Sequence, residues 1–241
     1  MNSAFLQKLQ FVLFTLVFSP AISGQIVSWQ DVNVNMGFGE YHSLNTELSI
    51  RTPWNSEVLG NKGVLRFTYQ KENSNHSLWE VAVGYFRESL EKDILSEDLA
   101  RREFRLALGS RWSTDPELRF AYRLHIRAEM RVFDEVQINN WYGQVRLRAR
   151  PEFAVAITKP TLTQNKALQG SLDAEFLQSG LGPWLDTEPR SSIRWRGGLT
   201  WRQDYHWRFG LSYFVETNLN DGFTAASHVF KLFVTYNLLS F

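Results

Sequence analysis

Between Leu118 and Val132 the chain alternates strictly enough to exclude most folds. Every even position in that stretch is apolar, and the odd positions carry Arg119, Arg123, His125, Arg127, Glu129 and Arg131. A strand turns successive side chains to opposite faces, so this one has a greasy face and a densely charged face. It is also long. Strands in soluble domains usually run about 5–6 residues, whereas a tilted strand needs roughly 9–11 residues to cross a bilayer.

The N-terminus reads as a secretion signal. Lys8 precedes the apolar run Phe11 to Phe18, Pro20 breaks it, and Ala21-Ile22-Ser23 offers a small-x-small cleavage pattern. Residues 1–23 are therefore expected to be a signal peptide, with a single barrel domain over residues 24–241. Past the leader, no segment approaches the roughly 18 consecutive apolar residues of a membrane helix. The chain has no cysteine, which removes disulfides, a lipoprotein anchor and thiolate chemistry. A net charge of +1 gives no bulk attraction to nucleic acid. Nine tryptophans suit aromatic girdles around a barrel.

Alternating segments recur to the C-terminus, among them Val32 to Phe38, Leu44 to Ile50, Trp79 to Tyr85, Phe104 to Leu108, Ile193 to Trp201, Trp207 to Val215 and Phe230 to Leu238. Eleven or twelve strands result, depending on whether Pro151 splits one, because proline cannot donate to a ladder. The expected fold is an all-β, antiparallel up-and-down transmembrane β-barrel of about twelve strands, within a range of ten to twelve. If residues 139–157 form one strand, the longer loops near 52–62, 88–98, 179–191 and 219–225 share one rim. The chain ends in Phe241, the aromatic terminus typical of strands delivered to the barrel-assembly machinery.

Orientation separates two kinds of barrel. A soluble lipid-binding barrel turns its apolar face inward, while a membrane barrel turns it to lipid and lines its lumen with polar groups. The density of arginine favours the second, since guanidinium forks pair with carboxylates in narrow spaces. Arg105, Arg119, Arg123, His125, Arg127, Arg131, Arg146, Arg148, Arg194, Arg196 and Arg208 oppose the apolar face, as do Arg101, Arg111 and Arg202. Glu103, Glu129, Asp173, Glu175 and Glu216 have the parity to answer them. Such a lumen is either a structural plug or a narrow pore that attracts anions. Lipid and lipopolysaccharide are the expected partners, and the bacterial outer membrane is the expected location.

Catalysis is not expected. His42-Ser43 and His76-Ser77 are adjacent pairs whose side chains would diverge in a strand, and no His-x-Ser spacing exists. No catalytic residue, cofactor or metal site is assigned, and no His/Asp/Glu cluster has zinc spacing. A lipid-modifying hydrolase with a concealed site and a soluble periplasmic lipid-binding barrel stand as the alternatives.

Four segments carry a resemblance: Tyr122-Arg123-Leu124-His125-Ile126-Arg127-Ala128-Glu129, Val145-Arg146-Leu147-Arg148, Asp173-Ala174-Glu175-Phe176 and Arg194-Trp195-Arg196-Gly197-Gly198-Leu199. In this order the chain resembles an uncharacterised family of bacterial outer-membrane barrels, domain of unknown function 2490. The first segment is similar to the family's Arg-x-Arg-Leu-Glu strand, with His125 where the family has Arg. The resemblance implies a barrel and brings no activity, substrate or catalytic residue.

Overall fold

Among the described residues, eleven strands follow one another without a helix: β1 (Gln25–Gly37), β2 (His42–Pro53), β3 (Lys62–Glu72), β4 (Ser77–Leu90), β5 (Leu99–Ser113), β6 (Phe120–Glu135), β7 (Asn140–Ala156), β8 (Ala167–Leu181), β9 (Arg190–Arg202), β10 (Trp207–Asn218) and β11 (Thr224–Leu238). This is a computed structural model, and it describes residues 25–38, 40–54, 61–73, 76–90, 99–115, 117–135, 140–181, 190–220 and 224–238. The expected signal peptide and Phe241 lie outside the described residues.

Each strand pairs with its sequence neighbours in antiparallel register, and β1 closes on β11. The fold is thus the all-β closed barrel expected, with a strand number inside the expected range. An even number of strands would bring the last one back antiparallel to the first. Eleven cannot, so β1 and β11 run parallel, from Gln25 opposite Ser227 to Met36 opposite Leu238. Bacterial single-chain barrels have even counts, and this seam is where the chain departs from them.

Pro151 does not split β7. On the β6 side it sits in register with Leu124. On the β8 side the ladder runs from Ala149 opposite Phe176 straight to Glu152 opposite Asp173, leaving Arg150 and Pro151 unpaired there. The residue with no N–H thus occupies the gap, as its chemistry requires.

Strand direction sorts the connections into two rims. Residues 38–41, 73–76, 114–119, 157–166 and 203–206 join strands at one end, here the turn rim. The strand ends bordering 54–61, 91–98, 136–139, 182–189 and 219–223 meet at the other, the loop rim. The four longer loops expected to share a rim border the same one. The exceptions to short-and-long alternation are 136–139, which is short, and 157–166, which is long.

The apolar faces point outward. On β6, Phe120, Tyr122, Ile126 and Met130 are exposed while Glu129 is 1% exposed. Every other strand does the same, with Val32, Leu48, Phe67, Val81, Leu106, Leu147, Leu172, Trp195, Leu211 and Leu232 all exposed. Soluble monomers rarely show a continuous apolar patch beyond a few hundred Å², whereas this one encircles the barrel. Aromatic residues mark its edges. Tyr69, Trp79, Trp112, Tyr122, Trp201 and Trp207 stand exposed towards the turn rim, and Trp54 and Trp141 towards the loop rim.

Candidate functional site

The lumen holds a girdle of ion pairs stepping from strand to strand. Glu129 on β6 is its hub. It accepts from Arg146 Nε at 2.9 Å and Arg148 Nη1 at 2.8 Å, with Arg105 at 3.6 Å and Arg127 at 3.8 Å. To one side, Glu103 takes Arg105 Nε at 2.9 Å and Arg131 Nε at 2.6 Å, and Lys62 lies 3.8 Å away. To the other, Glu175 takes Arg148 Nε at 2.9 Å and Arg194 at 3.3 Å, with Arg196 at 3.8 Å. Arg194 continues to Glu216 at 2.9 Å. Glu103, Glu129 and Glu175 rank among the largest fully buried side chains of the protein. Each carboxylate therefore meets at least two cations, which offsets the cost of taking it out of water.

A second tier lies nearer the turn rim. Glu80 on β4 binds His125 at 2.9 Å and Arg127 Nε at 2.7 Å, both on β6. To reach them it must cross β5, and it does so over Gly109, where a Cβ would stand 2.8 Å from Glu80 Oε1. Glycine is needed there for close approach. Arg123 pairs with Glu152 at 2.6 Å, and Arg150 lies 3.8 Å from the same residue. Arg196 and Asp173 are 3.8 Å apart.

Aromatic rings fill space between the charges. Arg105 stacks 3.9 Å above Phe86, Arg131 4.6 Å above Phe133, and Arg51 3.5 Å above Trp29. Phe86 and Phe214 are almost completely buried. Stacking on a ring face leaves a guanidinium's edge free for carboxylates, so both contacts can be made at once. At the seam the lining changes to amides: Asn45 donates to Asn35 at 2.5 Å, and Asn35 to Asn237 at 3.1 Å. The ion pair bridging that seam joins Lys231 and Asp31.

The two ends of the lumen differ. At the loop rim it opens into two chambers of about 280 and 260 Å³, the first lined by Arg51, Lys62, Glu88 and Arg194 and the second by Arg131, Arg146 and Arg190, with Glu216 lining both. At the turn rim the connection 157–166 folds inward. Leu162, 4% exposed, packs on Ala121, Ala154 and Ala156, small residues whose parity faces the lumen. Its carbonyl accepts from Gln169, Thr163 donates to Glu117 at 2.9 Å, and Lys166 N donates to Gln203 O at 3.2 Å. We call this segment the strap.

The structure brings together Arg105, Arg123, His125, Arg127, Glu129, Arg131, Arg146, Arg148, Glu175, Arg194, Arg196 and Glu216 in the two tiers just described. Arg119 stands apart, exposed just before β6, with Nε donating to Ala156 O at 3.3 Å. Arg208 faces the lumen without an acidic partner among the described residues. The sequence pattern does not single out Glu80, Glu152, Glu47 or Lys62 as lumen residues, although the alternation Trp79-Val81-Val83 turns Glu80 inward. Of the other described histidines, three bond elsewhere: His42 to Tyr69 and His228 to Tyr213, both at 2.7 Å, and His206 to Asn237 O at 2.8 Å; His76 lies exposed at the turn rim. Among the described residues no group of three or more His, Asp or Glu could hold a metal ion. Compared with known proteins, the chain matches no family model and no curated protein sequence.

Proposed function

We propose that this chain is a bacterial outer-membrane β-barrel whose lumen is a structural ion-pair plug, closed at rest. One observation carries the reading: all eleven strands present large apolar side chains outward, while the most deeply buried groups include three glutamates. Water outside and charge inside would make a poor soluble protein; lipid outside removes the contradiction. Strands of 11 to 17 residues are long enough to cross a bilayer at a tilt, and aromatic residues at both edges suit its interfaces. The secretion signal read from residues 1–23 and the resemblance of four segments to domain of unknown function 2490 support the same reading. An interior site for a greasy ligand would need the apolar face turned the other way.

A second reading, a narrow conduit for anions, is favoured by one feature. Among the described residues, Arg51, Arg111, Arg202 and Arg208 face the lumen outside the ion pairs. Planar-bilayer conductance of the refolded chain separates the two. A plug gives a folded, inserted barrel that is electrically silent. Discrete anion-selective steps that fall in Arg127→Ala would replace the plug with the conduit. Recovery of the protein from the soluble periplasm rather than washed outer membranes would sink both.

A further inference from the structure

Three arginines near the turn rim lack what every arginine of the girdle has. Arg208 on β10 stands directly opposite Arg202 on β9, and both side chains face the lumen. Two like charges opposed across neighbouring strands destabilise a sheet. Arg202 is only 9% exposed, and the Nε atoms of both arginines are buried with no hydrogen-bond partner. Arg111 on β5 and Arg123 on β6 lie within electrostatic reach of Arg208 from the far wall.

The nearby carboxylates are engaged elsewhere. Glu152 serves Arg123 and Arg150, Asp173 lies nearest Arg196, and Glu80 holds His125 and Arg127. Arg111, Arg202 and Arg208 form no ion pair among the described residues. A protein that answers each girdle guanidinium with a glutamate has here left three without one. Arg202 and Arg208 share one wall, on the adjacent strands β9 and β10, and Arg111 on β5 lies within electrostatic reach of Arg208. A planar carboxylate offers oxygens in one plane, whereas a phosphate group offers them in several directions and matches guanidinium forks bidentately. The strap borders this space. Ala167, directly after it, is in register with Arg202, and Lys166 bonds to Gln203, the residue following Arg202.

We infer that Arg111, Arg202 and Arg208 form a binding site for a phosphate group at the turn-rim end of the lumen, beside the 157–166 strap. The group is either a free phosphate or the headgroup of a phosphorylated lipid entering from that rim. The site requires the folded barrel and does not depend on whether the lumen conducts.

The test is calorimetric titration of the refolded chain in neutral detergent micelles, at fixed ionic strength, with inorganic phosphate replacing chloride. Saturable binding is expected, weakened about tenfold or more in the double variant Arg202→Gln/Arg208→Gln. Arg102→Gln removes a charge from the outer face and should leave the affinity unchanged. Folding of the double variant is checked by its melting temperature without phosphate, which should not fall, since relieving like-charge repulsion removes a cost. Short-chain phosphatidic acid is then compared with phosphatidylcholine of the same chain length. Phosphatidic acid displaced by phosphate identifies a headgroup site. Phosphate binding that phosphatidic acid does not compete for identifies a free anion. The proposal is overturned if a folded wild type binds neither, or if the double variant binds as well as wild type. Equal uptake of both lipids with no phosphate binding also counts against it. A silent bilayer recording bears only on conduction and leaves this result standing.

Discussion

The middle of the lumen and its turn-rim end use the same side chain to opposite effect. In the girdle, Arg105, Arg131, Arg146 and Arg148 are each within hydrogen-bonding distance of a buried glutamate. At the turn rim, Arg202 and Arg208 face each other with buried Nε atoms unanswered. Burial alone therefore does not determine the role of an arginine here; its partners do. Where charges balance, the barrel gains a cross-linked interior that ties β3 through β10 together. Where they do not, the described residues leave a local excess of positive charge that a bound anion would offset.

The largest effect should come from removing the hub. Glu129→Ala leaves Arg146 and Arg148 buried without their shared acceptor, and urea unfolding in micelles should show a loss of about 3–5 kcal/mol. A loss below about 1 kcal/mol would mean that water already solvates the girdle, and the contrast between the two regions would collapse. Gly109→Val puts a side chain where Glu80 crosses β5, and overpacking of this kind costs about 1–3 kcal/mol. That loss should shrink in a Glu80→Gln background, because the two changes break one interaction. The smallest effect has the reverse sign. Arg202→Gln separates an opposed like-charge pair and should raise stability by about 0.2–1 kcal/mol in phosphate-free buffer. A clear fall instead would show that Arg202 is satisfied within the chain.

Much of this was legible in the residues. The run Leu118 to Val132 declares its two faces, and the same parity turns Arg146, Arg148, Glu175 and Arg194 towards one another. Legibility fails where an apolar ring takes the inward parity, or where a contact does not follow period two at all. Phe86, Phe133 and Phe214 point inward among charges, and only the depth of the lumen explains why rings belong there. The Gly109 crossing depends on a three-strand relation, β4 over β5 to β6, that a single strand's pattern cannot carry. Leu162 lies in a connection with no periodicity at all, so its descent onto Ala121, Ala154 and Ala156 had no local signal. Pro151 misleads in the other direction. It resembles a strand end, yet the β7–β8 ladder skips the position and the strand continues.

The parallel seam has a consequence for the order in which the molecule is assembled. Ten of the strand pairings join neighbours along the chain and can form as local hairpins. The eleventh joins segments such as Asn35 and Asn237, which are 202 residues apart. Pairings that remote carry the largest chain-closure entropy and set the slow end of folding. Until β11 is in place, β1 keeps an open edge of unpaired N–H and C=O groups, the kind of edge that recruits foreign strands. A chain cut short before Thr224 would hold ten strands in their correct order and still present two sticky edges. The last fifteen-residue strand is thus the difference between a closed wall and an aggregation-prone ribbon.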